Sequence, residues 1–69
     1  MSKKQFNRVK AVLADKGKSN KELAELLGLS EQTVSLWCTN TRQPSLEVLY
    51  DIAEVLDIDV RELLVPNKR

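Results

Sequence analysis

Apolar residues recur at intervals of three and four along almost the whole chain, and no segment alternates as a half-buried strand would. The pattern predicts five helices. The first covers residues 3–16, with Phe6, Val9 and Leu13 on one stripe, Ala11 and Val12 beside it, and Gly17 as its stop. The second starts at Ser19. Its hydroxyl can accept a free N–H while Glu22, three residues on, returns to the serine's own N–H, which makes a capping box. Leu23, Ala24, Leu26 and Leu27 form its buried face, and Gly28 ends it, because a turn between crossing helices needs a residue at ease in the left-handed region.

The third helix, residues 30–38, is capped by Ser30 and turns Val34 and Trp37 inward, with Leu29 entering the core from the turn. Glu31, Gln32, Ser35 and Leu36 fall on its other faces. Residues 40–44 read as a loop, and Asn40, which tolerates positive φ better than other non-glycine residues, closes the third helix. Ser45 caps a fourth helix with Glu47 close behind and a ladder of Leu46, Leu49, Ile52, Ala53 and Leu56. After the connection 57–59, Asp59 caps a last helix at residues 60–64, whose Leu63 and Leu64 fold back on the core, and residues 66–69 are a tail. The expected class is all-α, a single domain over residues 1–69 built as a compact five-helix bundle.

Composition narrows the chemistry. A chain of 69 residues buries only about 60% of the surface it exposes when unfolded, so the core must be economical. One cysteine, Cys38, and no histidine exclude an internal disulfide, a metal site of several Cys or His ligands, and Ser-His or Cys-His catalysis. No nucleotide-binding glycine loop and no paired-carboxylate pocket stands out, so no enzyme, cofactor, metal or small-molecule ligand is expected. A lone thiol suits a reducing cytoplasm. Residues 1–10 are polar and basic with no apolar run behind them, unlike a secretory leader, and no apolar stretch approaches the roughly 20 residues of a bilayer span.

Net charge is +1, but it is unevenly spread. Residues 1–45 hold eight basic side chains (Lys3, Lys4, Arg8, Lys10, Lys16, Lys18, Lys21, Arg42) against four acidic ones, and residues 46–69 hold three basic against six acidic. Such a dipolar chain can offer a basic face to phosphate and keep its acidic face away from it.

Three runs, ELAELLGLSEQTVSLW (22–37), RQPSLEVL (42–49) and LDIDVRELL (56–64), stand in an order and spacing that resemble the Cro/phage-repressor, or XRE-type, family of helix-turn-helix regulators. The resemblance covers residues 6–65. It implies a lambda-repressor-like bundle in which helices two and three form the helix-turn-helix, helix three enters the major groove of DNA and helix two lies across the backbone. By position it assigns base reading to Ser30, Glu31, Gln32, Ser35 and Leu36, and backbone contact to Asn20, Thr39, Thr41, Arg42 and Gln43. Asn20 stands where many relatives have glutamine, and would also brace helix three. The sequence departs from the family at three places. Leu13 and Cys38 stand where relatives often pair an arginine with a glutamate, and Asn40 stands where glycine is usual. Loss of both charges together is coherent, because removing one alone would strand the other.

Among the groove-facing residues Gln32 has the most specific chemistry. Its amide offers a donor and an acceptor, matching adenine N6 and N7. Glu31 can accept from cytosine N4 or simply favour the helix N-terminus as a first-turn acid. Ser35 discriminates poorly, Leu36 can meet a thymine methyl, and Ser30 is a cap first. Lys3 and Lys4 are read as an arm toward DNA or as a solvated end, and Cys38 as an inert thiol.

These observations point to a sequence-specific regulator that binds double-stranded DNA, as a homodimer on a palindrome, with an antitoxin-type autoregulator among its forms. Leftover apolar residues Val48, Tyr50, Val55, Ile58 and Val65 are the dimer candidates. The competing reading is a protein–protein adaptor that keeps the fold without DNA, favoured by the near-neutral charge and by Glu31.

Overall fold

Serine hydroxyls fix where three helices start. In the computed structural model, which describes residues 4–68, Ser19, Ser30 and Ser45 each accept the backbone N–H three residues ahead and open α2 (Asn20–Leu27), α3 (Glu31–Cys38) and α4 (Leu46–Leu56). Each such bond satisfies one of the four N–H groups that a helix start leaves without an internal partner. At Ser19 the capping box is complete, with Glu22 Oε1 accepting the Ser19 N–H at 2.8 Å. Gly17 and Gly28 end α1 (Val9–Lys16) and α2 in the left-handed region, at φ 66° and 71°. Asp57 ends α4 in the same way without a glycine, at φ 57°.

The expected five-helix count is not confirmed. The structure has four α-helices, and the segment expected as the fifth is a single 3-10 turn, Val60–Leu63. Asp59 caps it as expected, accepting from the Arg61 N–H at 2.8 Å, and Leu63 is fully buried. Leu64 leaves the turn extended and exposed, because its backbone pairs with Asn7 in an isolated antiparallel bridge. No strand forms among the described residues.

The same bridge corrects the start of the first helix from residue 3 to Val9. Residues 6–8 run beside residues 63–65, with Val65 N–H donating to Phe6 O at 3.0 Å and Arg8 N–H to Leu63 O at 2.8 Å. Asn7 then caps α1 from one residue further out, its Oδ1 accepting the Val9 N–H at 3.0 Å. Phe6 is therefore exposed rather than part of the α1 stripe, its ring lying under the Lys4 ammonium. Lys3 lies outside the described residues.

The core collects Val9, Val12 and Leu13 from α1, Leu23 and Ala24 from α2, Val34 and Trp37 from α3, and Leu49, Ile52, Ala53 and Leu56 from α4. Leu26, Leu29 and Leu46, expected inside, are exposed. An eight-residue helix in contact on one side buries a narrow stripe. Leu26 falls beyond the stripe set by Leu23 and Ala24, Leu29 lies in the turn, and Leu46 occupies the first helical position of α4. Leu27, Cys38, Val48 and Ile58 pack against the core at half burial. Among the described residues no helix is long and apolar enough to cross a membrane.

The Ser19/Glu22 box gives a pH-dependent contribution. The Ser19 backbone N–H, then its hydroxyl, hold the Glu22 carboxyl below the usual range, with Lys18 adding to this. A lowered folded-state pKa means stability that is present above the unfolded value and is lost as pH falls through the folded one. E22Q is expected to melt below the parent at neutral pH, with the gap closing below about pH 4. Thermal melts of both proteins across pH check this; a gap that widens in acid would contradict it.

Candidate nucleic-acid interface

The outward side of α3 is polar because its inward side is not. Val34 and Trp37, three residues apart, bury one stripe, which leaves Glu31 and Gln32 exposed and Ser35 and Leu36 half-buried. Ser30 is exposed and holds the helix start, accepting from the Thr33 N–H while its hydroxyl also meets Thr33 Oγ1 at 2.9 Å. A capping hydroxyl engaged on both counts is restricted in what else it can reach. Gln32 has no such bond among the described residues, so its amide is turned to solvent.

Asn20, the first residue of α2, is half-buried, and its Oδ1 accepts from Cys38 Sγ at 3.3 Å. The start of α2 is thus tied to the end of α3, which supports the bracing role; the amide nitrogen of Asn20 is the end suited to donate to an anion. Burial pushes the Cys38 thiol up, opposed by Lys10, so the sulfur is a poor nucleophile. Leu13 is buried in the core against which Cys38 packs. With apolar side chains at both family-pair positions, neither leaves an uncompensated charge.

The turn after α3 is wound onto that helix's last carbonyls. Thr41 and Arg42 N–H both donate to Leu36 O, at 3.0 and 3.2 Å, and Thr39 Oγ1 donates to the same oxygen at 3.2 Å. The Thr39 and Thr41 hydroxyls lie 2.8 Å apart. Asn40 takes φ 57°, as its type and place suggest, and closes the helix. The structure therefore gathers Thr39, Thr41 and Arg42 on one exposed turn beyond α3, with Gln43 exposed next to them. Gln43 already accepts from Asn7 Nδ2 at 2.8 Å and donates to Asn40 O at 3.3 Å.

Electrostatically the two halves differ. The ion pair found among the described residues is Asp59 with Arg61, 3.0 Å apart and exposed, in the acidic half. It holds the Asp59 carboxyl below its usual range by hydrogen bonds from Arg61. Lys10, Lys18, Lys21 and Arg42 are exposed and none forms an ion pair within 4.0 Å among the described residues, although Lys18 acts on the Glu22 carboxyl from further off. Among the described residues no group of His, Cys, Asp or Glu is placed to hold a metal ion.

Sequence reasoning missed Asn7, placed on the first helix and given no role. It is 4% exposed, and its side chain donates to Trp37 O at 3.1 Å as well as to Gln43. Asn40 was expected for its φ alone, yet its side chain accepts from both Phe6 and Asn7 N–H. Both side chains act over more than thirty positions, which no local pattern reports.

Two short helices meeting at a left-handed glycine, the second with a buried apolar back and an exposed polar front, define a helix-turn-helix module. Comparison with known proteins agrees: the helix-turn-helix family model matches residues 9–63, and the chain belongs to that family, in its XRE-type branch. A crystal structure of a candidate DNA-binding protein from Bacteroides fragilis is 50% identical, with a TM-score of 0.86, and the match covers 87% of this chain and 97% of that one. No curated protein sequence matches.

Proposed function

We propose that the protein is a sequence-specific regulator that binds double-stranded DNA by inserting α3 into the major groove. The observation carrying this reading is the exposed Glu31 and Gln32 pair on the first turn of α3, set opposite the buried Val34 and Trp37. A helix start brings its first-turn side chains to base edges, and the groove width admits the whole helix. Family membership and the description of the Bacteroides fragilis structure support DNA as the partner.

In this reading Gln32 pairs with adenine, Glu31 accepts from cytosine, and Ser30, Ser35 and Leu36 complete the base contacts. Asn20, Thr39, Thr41 and Arg42 hold phosphates and set the register. Gln43 keeps one Nε2 hydrogen for a phosphate, its other groups serving the fold. Two copies on a palindrome would place their reading helices about 34 Å apart. A domain of 32 × 25 × 23 Å is of a size to sit side by side at that spacing. Tyr50, Val55 and Val65 stay exposed as dimer contacts, whereas Val48 and Ile58 are partly used by the core.

Selection of bound sites from a pool of random duplexes tests the whole proposal. Recovery of a palindrome with half-sites one helical turn apart is the expected result. Failure to bind any duplex, even at low salt where phosphate contacts are strongest, would favour the adaptor instead.

A further inference from the structure

The extended backbone at Asn7 has two edges, and each needs partners. On one edge, the flanking groups of Phe6 and Arg8 bond to Val65 and Leu63. On the other, where a neighbouring strand would stand, there is a single side chain. Asn40 Oδ1 accepts the Asn7 N–H at 3.1 Å and the Phe6 N–H at 2.9 Å, while Asn40 Nδ2 donates to Asn7 O at 3.2 Å. One carboxamide thus supplies the acceptor and the donor that a strand's backbone would supply. Asn7 returns the arrangement, its Nδ2 reaching Trp37 O and Gln43 Oε1, and Gln43 Nε2 closes the ring on Asn40 O. Asn7 and Asn40 are both buried, and no buried side-chain nitrogen or oxygen among the described residues lacks a partner.

This ring lies at one end of the turn that carries Thr39, Thr41 and Arg42. That turn has no apolar residue of its own before Pro44. Its placement rests on the Leu36 and Trp37 carbonyls at one end and on the carboxamides at the other. We propose that Asn7, Asn40 and Gln43 are positioning residues for DNA engagement: they fix this turn against the paired segments 6–8 and 63–65, so that its hydroxyls and guanidinium meet phosphates in one register. The inference rests on the DNA-binding reading above. A fully satisfied buried polar cluster specifies one geometry, and a contact set held in place beforehand loses less freedom on binding.

Asn40→Gly separates positioning from folding. Glycine accepts φ 57° without strain, so the backbone can stay while the carboxamide goes. Two measurements on the full chain decide the outcome. In amide exchange, Thr41 and Arg42 are expected to exchange at least about tenfold faster, beyond any change shared with Val34 and Trp37 in the helix. In duplex binding, at a temperature where circular dichroism shows the variant fully folded, the salt dependence is expected to fall by about one unit and affinity to drop about tenfold at moderate salt. If Asn40→Gly does not fold, Gln43→Ala, which opens the ring from its solvent side, takes the amide-exchange measurement alone with the same expectation, since its own phosphate contact would alter binding directly. Exchange at Thr41 and Arg42 that merely follows global stability, or unchanged affinity and salt slope in a folded variant, overturns the inference. A parent protein that binds no duplex removes the DNA reading itself, an outcome visible in the control before any variant is compared.

Discussion

Replacing Trp37 with alanine is expected to remove most of the domain's stability. The indole is 5% exposed at the back of α3, in the same buried stripe as Val34, and truncating a buried tryptophan costs about 3–5 kcal/mol. A chain of this length holds in total only about 3–10 kcal/mol. The melting temperature should therefore fall by roughly 12 °C or more, since each kcal/mol shifts a domain this small by about 4–8 °C. Leu26→Ala is the control. It removes a similar class of side chain from an exposed position and is expected to stay within about 0.5 kcal/mol. Thermal melts of the two variants check the contrast. A tryptophan stacked on a base instead of packed inside would give the reverse, a stable variant with weakened binding.

The second large effect concerns recognition. Gln32→Ala is expected to cost about 1–3 kcal/mol on the preferred duplex and to relax choice at one base pair. Gln32 is exposed and without a side-chain bond among the described residues, so the loss falls on binding and leaves the fold alone. Arg42→Ala should act differently. Its guanidinium sits on the turn beyond α3, and its loss is expected to weaken all duplexes alike and to reduce the salt slope by about one unit. Binding titrations over specific and random duplexes at several salt concentrations separate the two. If both variants lose affinity equally on both kinds of DNA, base reading and phosphate holding are not divided in this way.

Much of this architecture was legible from local chemistry. Ser19 with Glu22, Ser30, Ser45 and Asp59 each announce a start through a side chain that reaches three residues or fewer, and each opens an element where expected. Gly28 and Asn40 announce stops because few residue types accept their φ. The inward turn of Val34 and Trp37, and with it the exposed face of α3, followed from their spacing alone. Apolar pattern was less dependable at element ends. Phe6, Leu26, Leu46 and Leu64 each continue a helical period, yet each stays exposed outside the core. The last segment has a capping box and apolar spacing like a helix, but four residues before the bridge at Leu64 leave room only for a 3-10 turn.

What stayed hidden was long-range and polar. Asn7 and Asn40 lie 33 positions apart, and amide side chains have no periodicity that would pair them. The start of α1 depends on the bridge of Asn7 with Leu64, which is more distant still in sequence and was hidden for the same reason. Asp57 in the left-handed region ends α4 where the sequence offered only a short connection.

The bridge between Asn7 and Leu64 also bears on how the molecule is made. Its two halves lie 57 positions apart (64 − 7), while α2, α3 and α4 carry their own start signals and lie between them. Joining partners so distant in sequence carries a large loop-closure entropy, so this contact belongs late in assembly. A nascent chain released before residue 65 would have its three serine-capped rods and lack the seam that closes them.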